Sequence, residues 1–318
     1  MKKILVTGAL GQIGSELTLH LRGIYGQDNV VASDIRTDVP AGPLQNGPYE
    51  VIDVLQPEQM ADVVKKYGIN QIVHLAALLS AVGEAKPKLA WNINMGGLFN
   101  VLELAREMNC GVFTPSSIAA FGPSTPPDQT PQDTLQRPTT MYGVTKVAGE
   151  LLCDYYFQKY GVDSRGVRFP GLISYETLPG GGTTDYAVHI YYDALKAKHY
   201  TSYIAQGSHM DMMYMPDALT AISQLMEADP SKLVHRNAFN IAAMSFAPED
   251  IAAEIRKHIP DFTMDYNVDP VRQAIADSWP NSLDDSAARA EWGWDPKYNL
   301  ASMTTDMLQQ LQIKLGLS

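Results

Sequence analysis

The chain has 318 residues, 45% of them hydrophobic, and carries a formal net charge of −11 with a pI near 5.0. That length and apolar content suffice for a large buried core in one domain or two, while acidity without any local basic stripe argues against a nucleic-acid partner. The longest mostly apolar run, IVHLAALLSAVG, is too short to span a bilayer.

In chain order, short β-rich runs alternate with helical patterns. KKILVTG (2–8) reads as a buried strand rather than a signal peptide, because its apolar segment runs directly into a glycine turn. Residues 12–26 read as a helix, 29–35 as a strand, and the Pro/Gly-rich stretch through 48 as a loop. A strand at 49–54 precedes PEQMADVVKKYG (57–68), a helix opened by proline and closed by glycine. A strand at 70–77, a long helix at about 88–109, a strand at 111–117, a helix at about 140–160 and a strand at 163–169 continue the alternation. This rhythm implies right-handed βαβ crossovers and an α/β fold with a Rossmann-type, doubly wound parallel sheet. After residue 170 it degrades into a Gly/Thr loop with a following helix, a strand and helix over 209–227, a helix at 248–258, a strand-like FTMDYN, an irregular Trp-bearing stretch, and a terminal helix near 299–315. The expected division is a dinucleotide-binding domain over 1–170 with return segments at about 205–245. A smaller, mainly C-terminal α/β substrate lobe takes 171–204 and 246–318. The two cysteines, Cys110 and Cys153, lie in apolar sequence and outside any Cys/His cluster at zinc spacing. Buried reduced thiols, no metal and a cytoplasmic location are expected.

The first strand runs into TGALGQIG, with Gly8, Gly11 and Gly14 between strand and helix. Glycines there permit a sharp turn and close approach to a pyrophosphate, and the helix N-terminus supplies N–H groups and positive dipole. Gln12 and Ile13 belong to the same loop. Asp34 ends the second strand 20 residues beyond Gly14, where a carboxylate accepts ribose hydroxyls and repels a 2′-phosphate. NAD is therefore the expected cofactor, with Ile35 beside it and Arg36 as a counterweight toward NADP. Asp53 and Val54, after the third strand, are placed to meet the adenine edge, unless Asp53 is a strand-end turn residue. In HLAA (74–77), Leu75, Ala76 and Ala77 let the nicotinamide ribose and phosphates pass close to backbone, and His74 reads as a core histidine.

TTMYGVTKVAGE places Tyr142 and Lys146 four residues apart, on one helix face. Tyr155/Lys159 and Tyr192/Lys196 repeat the spacing, so context must choose. The fifth strand ends in TPSSIAAFG, which sets Ser116 and Ser117 at the carboxyl edge of the sheet, where such sheets hold ligands. Only Tyr142 can meet a serine and a nicotinamide together. A free phenol near pKa 10 is a poor base at neutral pH, and an adjacent ammonium together with an oxidised nicotinamide favours the phenolate.

The glycine loop, the strand-end serine and YGVTK resemble the extended short-chain dehydrogenase/reductase superfamily over most of the chain. The resemblance implies Tyr142 as general base, Lys146 on the ribose, and Ser117 orienting the substrate oxygen, with Ser116 as the other candidate. It also implies Asn94 near the cofactor and a homodimer joined through the helices near 90–109 and 140–160. Pro170 stands in RFPGLIS where the sugar-nucleotide members commonly show asparagine. The segments HLAALLSAVGE, RFPGLISYETLPGGGTTDYAVHIYYDAL, HMDMMYMPDAL and DSWPNSLDDSAARAEWGW are together similar to the short-chain type of L-threonine 3-dehydrogenase. That similarity implies NAD-dependent oxidation of the L-threonine β-hydroxyl to 2-amino-3-oxobutanoate. For such a small zwitterion the candidate contacts are Ser80, Thr183, Thr184, Asp185 and Trp279, beneath a loop formed by Gly180 to Gly182. Each has a plainer alternative: Ser80 terminates a strand, the threonines cap the next helix, Asp185 serves the helix dipole, and Trp279 belongs to the core. The rivals are an NAD-retaining sugar-nucleotide epimerase or dehydratase and a non-catalytic NAD sensor.

Overall fold

The computed structural model describes residues 2–40, 42–178 and 180–317. β1 (Ile4–Thr7) is buried at every position, as a strand covered by helices on both faces must be. It turns through the glycine loop into α1 (Gln12–Tyr25), and β2 (Val30–Asp34) and β3 (Tyr49–Val51) follow. Next come α2 (Pro57–Tyr67), with proline at its start and left-handed Gly68 at its end, and β4 (Gln71–His74).

The helix expected at about 88–109 is present as continuous helical backbone from Pro87 to Met108, but it carries a π-helical turn. α3 (Ser80–Ala85) precedes it, and the turn spans Asn92–Gly96 between α4 (Pro87–Trp91) and α5 (Gly97–Met108). The wide turn turns the Asn94 amide onto the loop after β4, where it accepts from Leu78 N at 2.8 Å and donates to Leu78 O at 3.1 Å.

The strand expected at 111–117 also splits, into β5 (Gly111–Phe113) and β6 (Ser116–Ser117). After α6 (Met141–Tyr160), the strand expected at 163–169 divides into β7 (Ser164–Arg165) and β8 (Val167–Phe169). Both breaks have one cause. Pro115 has no N–H to give the ladder, and a side chain at Gly166 would lie 2.3 Å from Thr114 O, so the chains cross tightly there. β5 pairs with β7, whereas β6 steps across to pair with β8, setting Ser117 opposite Phe169.

The main sheet has six parallel strands in the order β3-β2-β1-β4-β5-β7. Strand order reverses between β1 and β4, and ligands of such sheets bind in the crevice at the strand ends there.

Beyond β8 the chain adds β9 (Gly171–Ile173), α7 (Tyr186–Ala197), β10 (His199–Ser202), β11 (Met210–Tyr214) and α8 (Met215–Glu227). β12 (Phe239–Asn240), β13 (Met244–Phe246), α9 (Pro248–Arg256) and β14 (Thr263–Tyr266) follow. The Trp-bearing stretch read as irregular contains α10 (Pro270–Ala276) and α11 (Ser286–Trp292), and α12 (Leu300–Leu315) closes the chain. β11 pairs with β9 in parallel and with β13 antiparallel, while β10 pairs with β14. Two apolar clusters flank the main sheet, and a third, around Tyr186, Tyr191, Phe246 and Phe262, draws its buried side chains only from residues 173–311. Cys110 and Cys153 are buried free thiols.

Candidate active site

A cleft of about 240 Å³ opens at the carboxyl ends of the strands, where the glycine loop, the β6 serines, α6 and the start of α7 converge. Its floor at one end is Gly8, Gly11, Gln12, Ile13 and Gly14. Gly8 has a φ of +69°, and a Cβ on it would lie 2.8 Å from Ala76 N. A Cβ on Gly14 would lie 2.2 Å from Gly8 O. The loop is thus folded flat against β4 and on itself, which only glycine permits. No side chain caps α1 at Gly11, and the buried Gln12 Nε2 has no partner, so donors remain for an anion. This cradle fits a dinucleotide pyrophosphate.

Asp34 is buried beside the loop and accepts from Leu10 N at 3.1 Å. Arg36 grips the same carboxylate from its backbone N at 3.2 Å, its Nε at 3.1 Å and its Nη2 at 3.3 Å. Burial pushes the Asp34 carboxyl up, but the donors from Arg36 and Leu10 outweigh it and hold the group below the usual carboxylate range. Arg36 is therefore engaged in an ion pair rather than free for a 2′-phosphate. Ile35, 65% exposed, offers an apolar surface next to it. Asp53 accepts from Leu55 N at 2.9 Å, the turn role foreseen as its alternative, and buried Val54 accepts from Asn100 through its carbonyl. Neither lines the cleft. Leu75, Ala77 and Pro170 do, and Ala76 packs against Gly8.

His74 is buried and pairs with Thr7 Oγ1 at 2.9 Å. Burial, aided by the Lys146 charge, pushes it down to about 3, so it is neutral and structural as the sequence reading held. Asn94 spends its amide on Leu78 and Thr145 and faces a smaller cavity behind Lys146 rather than the cleft.

Thr140 caps α6 by accepting from Gly143 N at 3.1 Å, which fixes the helix start at Met141. Tyr142 then faces the cleft, with Lys146 Nζ 5.3 Å from its ring centre and donating to Pro115 O at 2.7 Å. The other two tyrosine–lysine pairs have nearly the same geometry, at 5.8 Å for Tyr155/Lys159 and 5.4 Å for Tyr192/Lys196. Neither lies in the cleft: Tyr155 is exposed among Tyr156 and Tyr160, and Tyr192 borders a separate cavity.

Both β6 serines line the same cleft as Tyr142. Ser116 donates a hydrogen bond to buried Glu150. Ser117 accepts from Ala119 N at 3.2 Å, which leaves its own proton for a bound oxygen. Ser80 lines the cleft from the first turn of α3, not from a strand end, so the strand-terminator alternative falls. Thr183 and Thr184 also line it, in the 3₁₀ turn Thr183–Asp185, and α7 begins without a side-chain cap, so neither threonine serves as one. Asp185 is directed at the Gly180–Gly182 loop, accepting from Gly181 N at 2.9 Å and Gly182 N at 2.6 Å. Burial raises its carboxyl, and those two N–H donors offset part of the rise. Half-buried Trp279 completes the wall.

Residues 4–242 match the model of the NAD dependent epimerase/dehydratase family. The chain belongs to that family. Its cofactor is accordingly NAD. An uncharacterized epimerase/dehydratase of Staphylococcus haemolyticus is 60% identical over 99% of each chain. The X-ray structure of an L-threonine dehydrogenase from Clostridium difficile is 64% identical, covers 99% of this chain and 98% of its own, and superposes with a TM-score of 0.97. A monomeric L-threonine 3-dehydrogenase from a metagenome is 44% identical over 98% of this chain and 99% of its own, with a TM-score of 0.93.

Within this family member's site, the main feature the sequence reading missed is the anchor behind Ser116. Arg168 Nε and Nη2 bind the Glu150 carboxylate at 3.0 and 2.9 Å, and Gln136 adds a third donor at 2.8 Å. The signal was present in KVAGE. A carboxylate one turn beyond Lys146, on a helix that must pack against the sheet, has to be buried with a partner.

Proposed function

We propose that this protein oxidises the β-hydroxyl of L-threonine to 2-amino-3-oxobutanoate, as an NAD-dependent dehydrogenase. The observation that carries the reading is the cleft itself: Tyr142, Ser117, Ser80, Thr183 and Thr184 all line one space of about 240 Å³, suited to a small polar substrate. The 64% identity to the C. difficile L-threonine dehydrogenase supports the same substrate.

Gly8, Gly11, Gln12, Ile13 and Gly14 would hold the pyrophosphate, Asp34 the adenosine ribose, and Leu75, Ala77, Lys146 and Pro170 the nicotinamide half. When bound, NAD supplies the acceptor for the hydride leaving the threonine β-carbon. Tyr142 takes the proton of the β-hydroxyl, and the Lys146 ammonium stabilises the negative charge that the phenolic oxygen carries. Ser117 donates a hydrogen bond to the substrate oxygen, keeping its own proton, and fixes that oxygen against Tyr142. The hydrogen bond from Ser116 to Glu150 leaves Ser117 as the orienting serine, and Ser116 shapes the wall. Ser80, Thr183 and Thr184 receive the carboxylate and ammonium groups. Asp185 acts through the Gly180–Gly182 loop that it ties down, and Trp279 shuts the pocket.

The third apolar cluster is consistent with a substrate lobe built from 171–204 and 246–318, and β11, from the segment expected to return to the NAD domain, joins it through Met210, Met212 and Tyr214. A homodimer through α4 to α6 would cover the exposed apolar side chains Trp91, Phe99, Val144, Leu151 and Tyr155. The test is the absorbance of NADH with L-threonine and NAD, beside a sugar-nucleotide panel. Accumulation with threonine alone supports the assignment, and turnover of a nucleotide sugar without net NADH replaces it with an epimerase.

A further inference from the structure

Beyond the substrate reading, the half-buried carboxyl of Glu16 has no part in the chemistry. Glu16 lies on α1, one turn past the glycine loop. Ser174 Oγ donates to its Oε1 at 2.5 Å, and the backbone N–H of Thr177 faces the same carboxyl. Beside it, Ser15 Oγ and Thr177 Oγ1 share a hydrogen bond of 3.0 Å. From the other side, Lys314 of α12 donates to the carbonyls of Tyr175 and Glu176 at 2.7 and 2.5 Å. Residues 174–177 are the path by which the chain leaves β9 for Gly180–Gly182, the loop that borders the cleft.

We propose that Glu16 is a positioning residue for the substrate side of the cleft, its carboxyl docking residues 174–177 onto the helix that begins at the phosphate-binding loop. The inference rests on the reading of Gly180–Gly182 as the loop over the substrate. Docking is proton-linked. Burial raises the Glu16 carboxyl to about 7; Glu176 adds to the rise, while Ser174, Lys314 and Thr177 oppose it. The charged groups around it are thus Glu176 on the docked segment and Lys314 on α12, with Tyr175 neutral because burial raises its phenol. His20, one turn further along α1, faces Ser223 of α8 instead.

The sign follows. A docked carboxyl that keeps its proton to about 7, against 4.5 when free, favours docking fully below 4.5. That advantage is lost progressively up to about 7 and is absent above it.

The test is amide hydrogen exchange of the full chain from pH 5 to 8, corrected for intrinsic rates and read at residues 174–177 and 180–182, with β1 amides as the control for global stability. Protection of the segment should fall roughly tenfold or more up to pH 7 and then level off. Glu16→Gln, neutral throughout, should give a flat profile. A flat wild-type profile, or the same fall in Glu16→Gln, would overturn the proposal. No substrate enters this experiment, so failure with threonine sinks only the substrate assignment, and a failed exchange test sinks only the role of Glu16.

Discussion

Replacing Glu150 by leucine removes the acceptor for Ser116 and strands Arg168, whose side chain is 7% exposed and whose Nε and Nη2 both point at the lost carboxylate. Among the described residues Arg168 keeps the Gln132 carbonyl at 2.8 Å, Asn240 Oδ1 at 3.0 Å and the Phe121 ring 5.0 Å from its Cζ, none of them an anion for a buried cation. Breaking a buried pair by deleting one partner costs about 3–5 kcal/mol, most of it from the charge left unpaired. The double replacement Glu150→Leu with Arg168→Met removes both charges and should recover all but about 1 kcal/mol. Urea unfolding of wild type, the two single variants and the double variant measures this directly. If Glu150→Leu costs under about 1 kcal/mol, or the double variant is worse than either single one, the anchor described behind Ser116 is not an ion pair that matters. Turnover adds a second reading: in the double variant the Ser116 hydroxyl no longer has its carboxylate, so kcat should stay depressed although stability returns.

Asp34→Ala should weaken NAD by roughly tenfold, because hydrogen bonds to a charged group contribute about 1.5–3 kcal/mol, and should leave NADP less affected by freeing Arg36; calorimetric titration with both nucleotides would show an unaltered preference if the assignment is wrong. Gly14→Ala drives a methyl group to 2.2 Å from Gly8 O and 2.8 Å from Ala9 Cα, both backbone atoms. The loop must then shift, and NAD affinity should fall more than tenfold in the same titration; undiminished binding would remove the loop from the cofactor site.

The N-terminal half of the site was legible because its information is local. A strand, three glycines, a helix and a carboxylate at the next strand end occupy adjacent stretches of chain, and each constrains its neighbour. Tyr142 was legible only through its neighbours, since Tyr155 and Tyr192 hold their lysines just as closely. What escaped was set by contacts between distant segments. The step from β5 to β6 depends on Gly166 approaching Thr114, and the anchor of Ser116 joins residues 116, 136, 150 and 168. Periodicity cannot report such pairings. The π-turn at Asn92–Gly96 escaped for a related reason: a helical pattern survives one inserted residue, and the amide that exploits the bulge bonds to a loop 16 residues upstream.

The central claim is that the Tyr142 phenol moves the proton of a threonine hydroxyl during hydride transfer to NAD. Initial rates of NADH formation from L-threonine, for the wild type and for Tyr142→Phe with unimpaired NAD binding, test it in one assay. Steady NADH production that drops a hundredfold or more in the variant is the predicted result. Equal rates in both proteins, or none from the wild type, would contradict it.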